Sequence, residues 1–223
     1  MRILPCLTTM TLATLLLAGP ATAGDKKEMG ANSGFLGEAS YSKMQEVKSA
    51  SGLPAKRWIA PDVSVAQYEA IVLDKTVFFP APQPTDQLSM ITLNRISEYL
   101  DQALRRELGG VIRLASEPGP KTLRLRPAIT AAAAMNEGLK AYQLIPVAFI
   151  LTRGQTTKKA ALAVEYEFID TESGNVVAVG MRLGEGAELK SMKDTLTLEQ
   201  MKPAIDAWAK DARAFFAAAK AGK

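Results

Sequence analysis

The sequence predicts an α/β fold, a two-layer sandwich in which a mixed, largely antiparallel sheet carries two main helices on one face. Three observations predict it. One long segment before Leu108 repeats apolar residues at helical spacing, and residues 162–183 alternate as a β-hairpin does. A second amphipathic helix closes the chain. Each of these elements has one apolar face, and the simplest burial is of each against the others. The 223 residues divide into 1–23, an N-terminal address, 24–62, an extended arm, and 63–223, a single α/β domain.

The address reads as a secretory signal peptide. Arg2 gives a positive start, Leu7 to Ala18 an apolar run, and Gly19-Pro20 a break. Ala21-Thr22-Ala23 has the small-x-small cleavage pattern, which places the cut between Ala23 and Gly24. The apolar run, about 12 residues, is shorter than the roughly 20 needed to span a bilayer. Cys6 is the only cysteine and lies before the apolar run, so it leaves with the peptide. A periplasmic or secreted protein without a thiol is the expectation, and the lack of a lipobox cysteine near Ala23 disfavours a lipid anchor.

Within the arm, Phe35, Leu36, Tyr41, Trp58 and Ile59 could dock on a domain surface, and Pro54 and Pro61 discourage long helices. Glu69 to Phe79 reads as a strand covered on both faces, ended by Pro80, Pro82 and Pro84. Thr85 or Asp86 can cap the helix that follows. Its stripe is Leu93, Ile96, Leu100, Leu104 and Leu108, with Arg105 and Arg106 at its negative end and Gly109-Gly110 as its stop. Val111 to Ala115 is the next strand. Leu123, Leu125 and Ile129 then alternate with Arg124 and Arg126, which read as a solvated sheet face or edge, or alternatively as a grip for an anion.

Residues 131–159 are ambiguous between strand, helix and loop. Within them Leu144, Ile145, Val147, Phe149, Ile150 and Leu151 form a candidate partner- or lipid-contacting patch, against the plainer reading of packing onto the domain. In the hairpin, Leu162, Val164, Tyr166 and Phe168 share one face, with Ala163, Glu165 and Glu167 opposite. Asp170 to Asn175 supplies the turn, Val176 to Leu183 the return strand, and Leu183-Gly184-Glu185-Gly186 releases the chain. Thr197 and Gln200 match a capping box, with Ile205, Trp208, Ala212, Phe215 and Ala219 as the last helix's stripe.

The composition excludes several chemistries. With no histidine, Ser–His and Cys–His catalysis and His-ligated metals are unavailable, and no cofactor motif is present. The net charge is +4, and the basic pairs Lys26-Lys27, Lys56-Arg57, Arg105-Arg106 and Lys158-Lys159 are dispersed, unlike a nucleic-acid face. Asp170, Glu172 and Asn175 superficially suggest calcium, but such residues are expected in a tight turn.

Four runs carry a family resemblance. They are Ser33-Gly34-Phe35-Leu36-Gly37 with Tyr41-Ser42-Lys43-Met44; Ala60-Pro61-Asp62 through Tyr68-Glu69-Ala70-Ile71-Val72-Leu73; Leu125-Arg126-Pro127-Ala128-Ile129-Thr130; and Val164 to Asp170 with Thr171, Gly174, Asn175 and Val176. In this order they resemble the bacterial envelope family called domain of unknown function 3313. The resemblance implies a secreted, often lipid-anchored envelope protein and supplies no catalytic residue. Two departures are the absent lipobox cysteine and the wider spacing Gly37-Glu38-Ala39-Ser40 before Tyr41-Ser42.

The expectation is a non-catalytic periplasmic or envelope accessory protein with an envelope protein or lipid as partner. Two alternatives stand beside it. One is a carboxylate-based glycan hydrolase using Glu165 and Glu167, roughly 7 Å apart by strand geometry, or the less exposed Asp74. The other is a lipid or small-molecule carrier whose cavity is lined by residues 131–151.

Overall fold

The computed structural model describes residues 32–136 and 158–222. The cleavage residues Ala21, Ala23 and Gly24 and the patch Leu144, Ile145, Val147, Phe149, Ile150 and Leu151 lie outside them. The elements in order are α1 (Glu38–Tyr41), β1 (Gln45–Lys48), β2 (Pro54–Ile59), a 3-10 turn (Val65–Gln67), β3 (Ala70–Leu73) and β4 (Val77–Phe78). Then follow α2 (Met90–Leu108), β5 (Arg113–Ala115), β6 (Thr122–Asn136), β7 (Lys158–Asp170), β8 (Val176–Leu189) and α3 (Leu198–Lys220).

The sheet runs β1-β2-β8-β7-β6-β3-β5, with β4 also on β6. The long strands pair antiparallel, while β3 and β4 lie parallel to β6 and β3 to β5. The expected mixed sheet with two helices packed against it is what forms. Both helical stripes meet the sheet in one core: Ile96, Leu100 and Leu104 of α2 with Met201, Ile205, Trp208 and Phe216 of α3, over Leu125, Ile129, Val164 and Phe168. Each fully buried side chain of this kind contributes about 2 kcal/mol.

Residues 45–59 of the expected arm are not external to the sheet. They form a hairpin whose second strand pairs with β8, Arg57 opposite Gly180 and Ile59 opposite Ala178. The strand expected over 69–79 is split. Leu73 pairs with Leu125 but Val77 with Ala128, so this segment spends one more residue than β6 across the break. The carbonyls of Leu125 and Ile129 accept from the amides of Asp74 and Phe79. By strand alternation the intervening Pro127 faces the same way and has no N–H to give.

Helix α2 starts at Ser89, not at Thr85 or Asp86. The backbone groups of Thr85 bond reciprocally with Leu88, while the Ser89 hydroxyl accepts from the Thr92 amide at 3.2 Å. Ala131 to Ala134 continue β6 beyond a bulge at Ile129/Ala131. Gly184 and Gly186 do not release the chain either, since β8 runs on to Leu189.

Helix α3 carries the expected capping box. The Thr197 hydroxyl accepts from the Gln200 amide at 3.4 Å and Gln200 Oε1 accepts from the Thr197 amide at 2.8 Å. Thr197→Ala leaves the Gln200 amide without its acceptor and is expected to cost about 1 kcal/mol in a urea melt. Pro203 is accommodated inside the helix.

Candidate functional site

Alternation along β7 sends Glu165 and Glu167 to the sheet face away from the helices. A solvated face is expected there, yet Glu165 is 1% and Glu167 7% exposed. Residues 33–41 lie across this face as a strap. Gly37, at a φ of 74°, turns the strap into α1, which presents Tyr41 inward. The Tyr41 hydroxyl donates to Glu165 Oε2 at 2.6 Å, and the Ser33 amide donates to Oε1 at 3.4 Å. Arg126 pairs with Glu167 and stacks over Phe35 at 5.7 Å, and Phe35 meets Phe79 at 5.8 Å. Arg124 Nε donates to both oxygens of Asp74, at 2.9 and 3.0 Å. Asp74, Arg124, Arg126 and Glu167 thus form one ion-pair network, in place of a solvated strip or an open anion grip.

Burial pushes the Glu165 carboxyl above its usual range, more than the Tyr41 and Ser33 hydrogen bonds lower it. The same burial, with the Glu165 bond, pushes Tyr41 up to about 12. Glu167 is likewise raised by burial, against the pull of Arg126. A raised carboxyl binds its proton more tightly folded than unfolded, so the folded state holds more protons between the two pKa values. Stability therefore falls as pH rises from the ordinary glutamate range through the raised values, then levels. Thermal melts across that window should show the decline, and Glu165→Gln, whose glutamine carbonyl still accepts from Tyr41, should remove the Glu165 share and leave that of Glu167.

Asp170 is likewise consumed by local structure. Its Oδ1 accepts from the Glu172 and Ser173 amides, at 2.9 and 2.8 Å, and its Oδ2 from the Tyr68 hydroxyl at 2.8 Å. These bonds hold its carboxyl below the usual range. The turn explains this residue without a cation, and Gly174 supplies the positive φ, 72°, that the turn needs.

A pocket of about 200 Å³ opens on the helix side, beneath the β1–β2 hairpin. Its body is apolar, built from Leu104, Leu125, Phe168, Trp208, Ala212 and Phe215. Tyr166, Arg57, Arg182 and Asp211 furnish its polar end. Strand pairing sets Arg57, Gly180 and Tyr166 side by side on three adjacent strands. The Tyr166 hydroxyl lies over Gly180, where any Cβ would occupy the same space. Arg182 pairs with Asp211 of α3, and Asp211 also accepts from the amide and hydroxyl of Ser51 at 2.7 and 2.8 Å, which latches the hairpin turn to the helix. Arg57 stands over the Phe215 ring at 4.7 Å.

Of residues 131–151, expected to line a cavity, 137–151 lie outside the described residues, and Ala131 to Ala134 do not line this concavity. Sequence reasoning passed over Arg182 and Gly180. The usable signals were one arginine inside an apolar strand and an aspartate, Asp211, three residues from Trp208 and four from Phe215, on the edge of an apolar stripe.

These features define a class: a two-layer α/β domain with a strapped outer sheet face and an apolar pocket of basic character on the helix side. The chain belongs to the family described as protein of unknown function (DUF3313), which matches residues 31–212. It is 32% identical over 188 residues to the uncharacterized lipoprotein YdcL of Escherichia coli K12, covering 82% of this chain and 84% of that one. The relative's lipoprotein name runs against taking the missing lipobox cysteine as a sign of a free, unanchored protein.

Among solved structures, the DUF330 protein XCC0632 from Xanthomonas campestris is similar at a TM-score of 0.40 and 10% identity, over 74% of this chain and 93% of that one. The DUF4136 protein BT2437 from Bacteroides thetaiotaomicron gives 0.39 and 8%, over 76% and 97%. No helix among the described residues is long and apolar enough to cross a membrane.

Proposed function

We propose that this chain is an envelope-associated binding or accessory domain without catalytic chemistry. The observation that carries the reading is the contrast between its two faces. The acidic side chains best placed for chemistry are all engaged, Glu165 by Tyr41 and Ser33 from a strap of the chain itself, Glu167 by Arg126 and Asp74 by Arg124. The helix-side pocket, in contrast, is preformed, largely apolar and supplied with a few converging polar groups, as binding sites are. The signal-like first 23 residues and the lipoprotein name of the E. coli relative support an envelope address.

Two measurements test this reading. Incubated with purified peptidoglycan, the protein should release no soluble glycan fragments. Release that disappears in Glu165→Gln or Asp74→Asn would overturn the non-catalytic reading. Native mass spectrometry of protein isolated from its own envelope should show a small adduct lost on denaturation. A bare chain would overturn the binding reading.

A further inference from the structure

Arg182 is 3% exposed in its side chain, and its Nε is buried without a hydrogen-bond partner among the described residues. A guanidinium N–H withdrawn from water in this way is costly unless something accepts from it. Two further groups at the same end of the pocket are similarly underused. Arg57 has an aromatic ring beside it but no carboxylate among the described residues, and the Tyr166 hydroxyl makes no hydrogen bond among them. Asp211 is the only acid among the described lining residues, and Arg182 and Ser51 already share it. Setting Arg57 and Arg182 against Asp211 leaves one uncompensated positive charge inside, with Lys48 adding another at the lining's edge.

We infer that this pocket binds a small hydrophobic carboxylate, its acid group at Arg57 and Tyr166 with the Arg182 guanidinium behind them, and its body along Leu104, Leu125 and Trp208. The inference deepens the binding reading above and rests on it. One surplus interior charge and a few donors suit a planar monoanion, and guanidinium groups match carboxylate geometry. A volume of about 200 Å³ admits one chain of moderate length or one ring system and leaves no room for a two-tailed lipid.

Trp208 lies in the pocket and Trp58 is the only other tryptophan, so Trp58→Phe makes emission report on the pocket. In that background, decanoate, decanol and decyltrimethylammonium are titrated below their aggregation limits. Decanoate should saturate at least tenfold tighter than decanol, and the cation should not bind. Arg57→Gln should weaken decanoate about tenfold and leave decanol unchanged, with Arg57→Lys in between. Ala212→Phe, which fills the apolar body and touches no charge, should abolish both.

Equal affinity for decanoate and decanol, an Arg57→Gln variant that binds decanoate normally, or an Ala212→Phe variant that still binds would each overturn the inference. So would no binding by any of the three in the folded Trp58→Phe protein. Each variant's melt is recorded first, and Arg57→Lys serves if Arg57→Gln is not folded. These outcomes bear on the headgroup alone. An adduct of other chemistry on the envelope-isolated protein would keep the binding reading while this one fails.

Discussion

Gly186→Ala is expected to destabilise the protein by about 3 kcal/mol, which lowers the melting midpoint by about 10 °C in a domain of this size. A Cβ at Gly186 would run into the backbone carbonyl of Gln200 in the first turn of α3 and stand 3.1 Å from the Ala160 Cβ. The obstacle is backbone, so no side-chain rotation relieves it. Helix α3 must move off β8, and Gly184 two residues earlier shows the same close approach, 2.8 Å from the Ala204 Cβ. Gly119→Ala is the control, because its nearest neighbour is Thr122 Oγ1 at 3.9 Å and the change should shift the midpoint little. Equal midpoints for the two variants would mean that α3 does not seat on β8 as closely as described.

These two glycines also show where sequence reasoning stops. Helix stripes and hairpin alternation are local patterns, so Leu93 to Leu108, Leu162 to Phe168 and the Thr197–Gln200 cap are legible in one reading. Gly184 and Gly186 read locally as the end of a strand. Their spacing of two places both on one face, which equally describes a strand grazed by a helix, and only the partner decides between the two. The buried state of Glu165 was invisible for a related reason. Its cover comes from Ser33 and Tyr41, more than a hundred residues earlier, and an acid in an alternating strand ordinarily faces water. The pocket combines both difficulties, since Arg57, Arg182 and Asp211 come from three elements that no periodicity links.

Asp211→Ala is expected to cost about 3–5 kcal/mol, more than Arg182→Met, although the two residues form one ion pair. The asymmetry follows from what each change leaves behind. Without Asp211, the buried Arg182 guanidinium is left with Arg57 nearby and no acid among the described lining residues, and the Ser51 latch is lost as well. Without Arg182, the Asp211 carboxylate is 12% exposed and keeps the Ser51 amide and hydroxyl as donors. Arg182→Met also preserves most of the apolar packing volume, so its expected cost is about 1–2 kcal/mol.

Combining the two substitutions should recover a large part of the Asp211→Ala loss, since the stranded charge is then gone. Urea melts of the four proteins give the cycle directly. If Asp211→Ala and Arg182→Met cost the same and add in the double variant, the pair is no more than a surface contact. Arg182 would then not be the desolvated group on which the carboxylate site depends.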